Sequence, residues 1–405
     1  MDRGKGYSGI LKPVECENHP WSPGNVYASR NVIRKHSGPY RAAIPAKIAD
    51  LDFVTLLDGQ VHADADEATQ QLVRFDQYLA ARSDGDSGEL APMSSILLRT
   101  ESASSSQIEN LTVGARQLAL AELGEQASRN AGLVKANVHA MEAATELADD
   151  FSVETILEMH RRLLDAVDPE AGNLRTQQVW IGGSGVGPHL ASFVPPHQSR
   201  VVKAIDDLVE FCHRDDLSPL IQIAIAHAQF ETIHPFTDGN GRTARALVQA
   251  MLKGSGLTVH TTVPISAGLL VDIDRYFEAL TAFRESDPVP IVSEFSRAAG
   301  YAAVEGRALI DDLNLIRTES ASRIIARADS AAWGLNDLLI RQPVVNTAYV
   351  AEQLGISKVT AQTSINKLEA VGTLTESTKK VRHRVWQAND VLARLDDFAA
   401  QIKRP

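Results

Sequence analysis

The sequence has only two cysteines, Cys16 and Cys212, in its 405 residues. Two thiols this far apart, in no metal-like spacing, exclude a disulfide framework and fit a reducing compartment. The sequence also lacks a run of about 18 apolar residues, which is the length that a membrane-spanning helix needs. It lacks an apolar signal core near its N-terminus as well. We therefore expect a cytoplasmic protein with no membrane partner.

Positive charge is scarce over most of the chain. The net charge is −11, from 40 Lys and Arg against 51 Asp and Glu, which predicts that the whole molecule is a poor non-specific binder of nucleic acid. Residues 341–405 are the exception, because they carry ten basic and six acidic residues. A basic C-terminal module on an acidic body indicates a separate role for that module.

Helical spacing of apolar residues dominates the rest of the sequence, over residues 48–82, 96–166 and 200–333. Residues 1–45 show no period and predict an irregular lead segment. Residues 171–200 are rich in Gly and Pro, which breaks the helical pattern and predicts an exposed hairpin or flap. Within it, Val179–Ile181 can form a short strand.

Residues 336–405 follow the pattern of a winged helix-turn-helix. A helix over 347–353 and a second helix capped by Ser357 precede two hairpin arms, 374–378 and 381–385. Basic and amide side chains are expected to face a nucleic-acid groove or its phosphates: Lys358, Gln362, Asn366, Lys367, Lys379, Lys380, Arg382 and Arg384. Since the pattern indicates a fold better than a function, DNA binding and a protein-interaction or dimerisation role both stay open.

The most informative segment is a predicted helix–loop–helix around residues 218–254. Ser218-Pro219 is a good helix start, and Pro235 disfavours the α conformation at His234, so the first helix is predicted to end there. In the loop, Gly239-Asn240-Gly241 can take positive φ and turn backbone N–H groups inward. A second helix is predicted to begin near Arg242, with its N-terminus directed at the same place.

The side chains of this loop suit a polyphosphate with a divalent cation. Arg242 and Arg245 share one face of the first helical turn and can clamp phosphate oxygens. Asp238 offers oxygen ligands to a hard cation, and His234 can serve as a general base near neutral pH. The bland alternative is a capped helix–loop–helix whose arginines pair with surface acids. Each residue alone favours that alternative, but the cluster favours chemistry.

The segment His-Pro-Phe-Thr-Asp-Gly-Asn-Gly-Arg-Thr-Ala-Arg, residues 234–245, resembles the signature of the Fic/DOC family at every defining position. Members of that family are α-helical and mostly transfer AMP from ATP to a hydroxyl side chain of a target protein. The resemblance implies that His234 deprotonates this hydroxyl, that Asp238 binds Mg²⁺, and that pyrophosphate leaves. It also implies a set of ATP-binding residues: Gly239, Asn240, Gly241, Arg242, Thr243, Ala244 and, at the γ-phosphate, Arg245.

The resemblance extends to three other places. Residues 176–197 resemble the family's flap, which aligns the target backbone by β-augmentation; Val179, Trp180, Ile181 and Gly182 are its expected contacts. Tyr276 and Phe277 resemble an aromatic pair near the adenine pocket, although without the family both would be interpreted as core. Residues 105–110 resemble an inhibitory helix motif, with Ser105, Glu109 and Asn110 at its defining positions, and imply that Glu109 pairs with Arg245.

These observations predict a mainly α protein with a Fic helical core, a short β-hairpin flap and a C-terminal winged helix-turn-helix domain. The predicted domains are 1–115 with the inhibitory helix, 116–300 as catalytic core, 301–335 as connector and 336–405 as winged helix. The predicted function is a protein adenylyltransferase inhibited by its own Glu109. The alternatives are an enzyme that removes AMP and a nucleotide-sensing transcriptional regulator. The expected partners are ATP with Mg²⁺, a protein with a Tyr, Thr or Ser hydroxyl, DNA through the winged helix, and a second copy of the chain.

Overall fold

The structure is a computed structural model that describes residues 7–24, 28–82, 90–183, 185–377 and 384–402. Its helices are α1 Arg30–Lys35, α2 Phe53–Leu56, α3 Gly59–Arg82, α4 Leu90–Ile108, α5 Ala115–Leu123, α6 Arg129–Glu146, α7 Val153–Leu164, α8 Gln198–Cys212, α9 Pro219–Ile233, α10 Asn240–Gly254, α11 Ile265–Leu270, α12 Ile273–Arg284, α13 Val289–Arg323, α14 Ala331–Arg341, α15 Thr347–Gln353, α16 Lys358–Ala370 and α17 Asn389–Gln401. Its strands are β1 Glu15–Trp21, β2 Gly38–Ile44, β3 Val344–Val345, β4 Thr375–Glu376 and β5 Trp386–Gln387. The prediction of a mainly helical protein is confirmed.

The chain divides into two compact units, each assembled from segments that are distant in the sequence. The first unit consists of Met1–Thr69, Ala143–Ser255 and Asp274–Ser296, and the second of Gln70–Glu142, Gly256–Ile273 and Arg297–Pro405. The four predicted domains were continuous stretches, so their boundaries stay a prediction. No helix of the described residues combines the length and the apolarity of a membrane span.

The centre of the first unit is α9, in which every residue from Leu220 to Ile233 is buried. A helix that is buried all round needs neighbours on its whole circumference; α8 and α10 pack against it, and α7 packs against α10. The helix begins at Pro219 and ends before His234, which confirms the predicted start and end. The candidate chemistry thus lies at the end of the most buried helix of this unit.

The prediction of an irregular segment over residues 1–45 is wrong. Strands β1 and β2 pair in antiparallel register from Glu15 with Ile44 to Trp21 with Gly38. Their sequences lack a clean apolar alternation, and each includes a proline, so the local pattern hid them. Their stabilisation is non-local: the Ala43 N–H donates to the carbonyl of Val194 over 3.0 Å, and the Tyr40 hydroxyl donates to the side chain of Gln178 over 2.8 Å.

The flap, residues 176–197, is less regular than predicted. In place of a strand over Val179–Ile181 there is one antiparallel bridge, in which the Ile181 N–H donates to the carbonyl of Phe193 over 2.9 Å. The turn requires glycine, because Gly183 has φ +76° and a Cβ there would lie 2.6 Å from the carbonyl oxygen of Leu190. Residue 184 lies outside the described part of the chain.

In the second unit, α15 and α16 lie where the sequence predicts a helix-turn-helix, and the Ser357 hydroxyl caps α16 by accepting the Thr360 N–H over 3.1 Å. Of the predicted second hairpin arm, 381–385, residues 381–383 lie outside the described part of the chain, and Arg384 and Val385 directly precede the strand β5, which starts at Trp386. It pairs with both β4 and β3, and β3 was not predicted. The tip residues Lys379, Lys380 and Arg382 lie outside the described residues.

Candidate active site

His234 ends α9 in the left-handed conformation, with φ 50° and ψ 63°. This conformation is uncommon for a residue with a Cβ and costs free energy. The His234 N–H still donates to the carbonyl of Phe230 over 2.9 Å, so the helix keeps its last hydrogen bond while the chain turns away. The imidazole is thereby carried to the edge of the core, with 19% of the side chain exposed. The sequence predicted the exit at His234 but not this conformation.

Arg175 holds the main chain on both sides of the His234–Pro235 peptide bond. Its Nε donates to the carbonyl of His234 over 2.8 Å, and its backbone N–H donates to the carbonyl of Pro235 over 2.9 Å. Only 4% of Arg175 is exposed. Burial lowers the pKa of its guanidinium to about 10, so the group stays charged at neutral pH. The sequence reasoning missed Arg175, since a single arginine before a Gly-rich segment gives no local signal.

Glu231, one turn before His234, is a second residue that the sequence reasoning missed. Its carboxylate lies 3.7 Å from Nδ1 of His234, which is too long for a hydrogen bond but close enough for strong electrostatic attraction. Burial opposes the charged form, yet the nearby His234, His227 and Arg245 hold the pKa of Glu231 at about 2. The imidazole of His234 therefore lies beside a permanent negative charge.

Asn240 closes the loop between α9 and α10. Its side-chain oxygen accepts the Phe236 N–H over 2.8 Å, and its side-chain nitrogen donates to the Phe236 carbonyl over 2.9 Å. Of the three residues expected to adopt positive φ, Gly239 alone does so, at +74°, because α10 begins at Asn240, two residues before the predicted start. The expected nest of three inward N–H groups is thus corrected to one glycine turn followed by a helix N-terminus.

His160 on α7 contacts two residues of the same loop, Phe236 and Asp238. Its Nδ1 accepts the Gly172 N–H over 2.9 Å, so the proton is on Nε2, which donates to the carbonyl of Asp238 over 3.1 Å. The ring stacks on Phe236 with a centroid distance of 3.7 Å. Burial lowers the pKa of His160, which favours this neutral form. No sequence pattern connects His160 with the motif.

The charged residues of the motif separate by exposure. The side chain of Asp238 is 76% exposed, with one oxygen accepting the Gly239 N–H over 2.7 Å and lying 3.8 Å from the guanidinium of Arg242. Arg242 and Arg245 are 4% and 2% exposed. Arg242 nevertheless lies beside an exposed acid, Asp238, so the alternative in which the arginines pair with surface acids stays open. Thr243 and Ala244, expected to bind ATP, are fully buried on the same helix.

Tyr276 is part of a buried network that joins three helices. The carbonyl of Ala244 can only accept, so Nδ1 of His227 donates to it over 3.3 Å, and Nε2 accepts the Tyr276 hydroxyl over 2.8 Å. Tyr276 is 1% exposed, whereas Phe277 is half exposed. This placement matches the interpretation of Tyr276 as core, and its expected role beside adenine stays a prediction.

The inhibitory motif lies at the end of α4 in the second unit. Ser105 is buried, while Glu109 and Asn110 are exposed, and Asn110 has φ +61°. The chain turns here, because the Leu111 N–H donates back to the carbonyl of Ser106 over 3.0 Å. Glu109 therefore stands at the exposed end of a helix. Its pairing with Arg245 stays a prediction.

The described fold is mainly helical, and the candidate site lies in the loop between the consecutive helices α9 and α10. Residues 150–252 match the Fic/DOC family. The matched range includes the flap and the whole loop from His234 to Arg245.

Relatives with curated names match over the same part of the chain. Protein adenylyltransferase fic-1 of Caenorhabditis elegans is 40% identical over 112 residues, which are 27% of this chain and 20% of that protein. Protein adenylyltransferase Fic of Drosophila melanogaster is 36% identical over 111 residues, 26% of this chain and 21% of that protein. The chain thus spans about a fifth of the length of these relatives. Among solved structures, a Fic family protein from Desulfovibrio desulfuricans G20 has a TM-score of 0.48 at 21% identity, covering 79% of this chain and 95% of that chain.

The buried His227 predicts an acid-sensitive fold. Burial lowers its pKa from 6.5 to about 4, so below pH 6.5 the unfolded chain binds a proton that the folded chain excludes. Stability conferred at neutral pH is therefore lost as the pH falls from 6.5 towards 4, by up to about 3 kcal/mol. We expect the melting temperature of His227→Gln to fall less steeply over this range than that of the wild type. His139→Gln, at an exposed position, is the control, and equal slopes for His227→Gln and wild type would contradict the prediction.

Proposed function

We propose that this chain is a protein adenylyltransferase that transfers AMP from ATP to a hydroxyl side chain of a target protein. The observation that carries the proposal is the position of His234. It is a partly exposed imidazole at the end of a buried helix, beside the ionised Glu231, and it precedes α10, whose first two turns carry Arg242 and Arg245. Support comes from the Fic/DOC match and from relatives named protein adenylyltransferases.

In the proposed reaction, His234 takes the proton of the target hydroxyl. The hydroxyl oxygen then forms a bond to the α-phosphorus of ATP, and the bond from that phosphorus to the oxygen bridging to the β-phosphate breaks. Pyrophosphate leaves with the electron pair. The negative charge of Glu231 stabilises the imidazolium that His234 becomes, and the N-terminus of α10 with its two arginines stabilises the phosphate oxygens.

The residues present fit Mg²⁺ in its usual mode of binding beside a nucleotide. Magnesium is commonly held by one or two carboxylates together with substrate phosphates and waters. Asp238 supplies one exposed carboxylate, with one oxygen already accepting the Gly239 N–H. Among the described residues no group of three His, Cys, Asp or Glu side chains is arranged to hold a metal. When bound, the ion would neutralise phosphate charge, with Asp238 as its protein ligand.

One prediction tests the assignment of His234 as the general base. His234→Ala should abolish AMP transfer with little change in Mg-ATP affinity, because in the proposed reaction the imidazole touches the hydroxyl and not the phosphates. Loss of a general base costs about 10²–10⁴-fold in rate. The measurement is the labelling of protein in a cell lysate by α-labelled ATP, with ATP affinity measured by calorimetry. Near-normal labelling by this variant would end the assignment of the base.

We also propose that Glu109 inhibits the transfer by occupying the position of the γ-phosphate at Arg245. In support, Glu109 is exposed and directly follows α4 in the chain. A charge-assisted hydrogen bond is worth about 1.5–3 kcal/mol. At about 1.4 kcal/mol per factor of ten, this corresponds to roughly tenfold to hundredfold competition against productive ATP binding.

A further prediction tests whether Glu109 inhibits the transfer. Glu109→Gly should increase labelling from α-labelled ATP roughly tenfold to hundredfold, whereas Asp149→Gly, which also removes an exposed acid, should not. Arg245→Ala should show no gain, since it removes the γ-phosphate ligand as well, and the double variant should be no faster than Arg245→Ala alone. Unchanged labelling in Glu109→Gly contradicts inhibition. Loss of AMP removal from labelled protein, without a gain in transfer, would instead identify Glu109 as catalytic in the hydrolytic removal of AMP.

For the C-terminal region we propose DNA binding through α16. Its outward residues Lys358, Val359, Thr360, Thr363 and Asn366 are exposed, while Ala361, Ser364, Ile365 and Leu368 are buried. Two hydrogen bonds orient the side chain of Gln362. It accepts the Thr347 hydroxyl and donates to the side chain of Asn366, both over 2.8 Å. Arg384, expected at a phosphate, donates instead to Glu376.

The full chain should therefore bind duplex DNA with a steep salt dependence. Lys358→Ala should reduce the slope of log affinity against log salt by about one, as expected for one phosphate contact. Lys203→Ala, which removes an exposed lysine from α8, should leave the slope unchanged. Self-association that is independent of salt, with no retention of DNA, would favour the interaction role instead.

A further inference from the structure

Arg175 connects the end of α9 to both arms of the flap. Besides its bond to His234, its guanidinium donates to the carbonyl of Gln177 over 3.0 Å and to that of Pro196 over 2.5 Å. A longer contact of 3.4 Å reaches the carbonyl of Ile233. Gln177 lies where the flap begins and Pro196 where it ends. One side chain thus bridges three separate places in the first unit.

The partners of Arg175 are unusual for a buried cation. Its hydrogen bonds go to main-chain carbonyls, and a buried arginine more often faces a carboxylate. Carbonyl groups keep their positions whatever the pH or the neighbouring side chains, so this arrangement fixes backbone geometry. The planar guanidinium carries five N–H donors in a rigid fork, and it needs that shape to reach carbonyls on both sides.

The bond to the His234 carbonyl also bears on the strained conformation. A left-handed residue with a Cβ persists only where its surroundings determine it. Here the preceding Ile233 carbonyl, the His234 carbonyl and the Pro235 carbonyl all meet Arg175, through its side chain or its backbone N–H. The contacts of Arg175 therefore restrict the main chain on both sides of His234.

We propose that Arg175 is a positioning residue that sets the place of the His234 imidazole and the distance from it to the flap, and so to a target hydroxyl aligned there. The proposal rests on the proposed function, since it concerns the same transfer. A general base must come within about 2.6–3.2 Å of the proton it removes, and a misplacement of 1 Å can cost about a hundredfold in rate.

The test uses the full chain with Arg175→Lys and Arg175→Met. Lysine keeps the charge but offers a single nitrogen, which cannot span the flap and the His234 carbonyl together, and methionine keeps only the apolar stem. We expect labelling of lysate protein to fall at least tenfold in both, with Mg-ATP affinity within about threefold of wild type. The matched control is Arg214→Lys. Arg214 is also buried and donates to the carbonyls of Ala49 and Leu51, so its loss costs stability away from His234.

A second readout does not need transfer. In the chain with ¹³C-labelled histidine, the ring resonance of His234 is assigned by its absence in His234→Ala. It should shift or broaden in both Arg175 variants, and stay in place in Arg214→Lys. If the wild type transfers no AMP, the proposed function fails, and this resonance still decides whether Arg175 positions the ring. An unchanged resonance overturns the proposal. So does a loss of labelling in Arg175→Lys that the control matches at an equal fall in melting temperature.

Discussion

The left-handed turn at His234 is the constraint on which the first unit depends. Helix α9 is buried on every side, so a polar ring that must meet solvent can leave it only at an end. A left-handed residue turns the chain sharply while keeping the last helical hydrogen bond. Phe236 then packs back into the core against His160, and Asn240 closes the loop onto it. Each of these contacts requires the turn to occur at residue 234 and nowhere else.

Three buried arginines of the first unit, Arg175, Arg242 and Arg245, differ in the groups that they contact. Arg175 is surrounded by carbonyls and works on the backbone. Arg242 and Arg245 lie at the start of α10, where the helix dipole already favours an anion. The pKa of Glu231 is lowered to about 2 despite its burial, chiefly by the adjacent His234 and also by Arg245. In the proposed reaction, a polyphosphate would bind at the α10 end, and the imidazolium of His234 would form at the α9 end.

Local pattern predicted those parts of the fold that local interactions determine. The buried period and Pro219 gave the start of α9, Pro235 gave its end, and Ser357 gave the cap of α16. Strands β1 and β2 were not predicted, because hydrogen bonds to the flap, more than a hundred residues away, stabilise them. Arg175, His160 and Glu231 were missed as well. The importance of Arg175 and His160 lies in the carbonyls and the ring that they contact in the fold, which the sequence pattern does not record. Glu231 differs, because it precedes His234 by one helical turn and this spacing could have indicated the contact.

Three histidines in the first unit show how environment divides one residue type into several roles. His227 is fully buried between Tyr276 and Ala244, and burial keeps its pKa near 4, so at neutral pH it is a fixed donor and acceptor. Burial also lowers the pKa of His160, and its neutral ring donates to the carbonyl of Asp238 in the loop between α9 and α10. His234 differs because its ring reaches solvent and faces a carboxylate across 3.7 Å. The exposure of its ring and the neighbouring carboxylate distinguish His234 from the two neutral histidines, which belong to the scaffold around it.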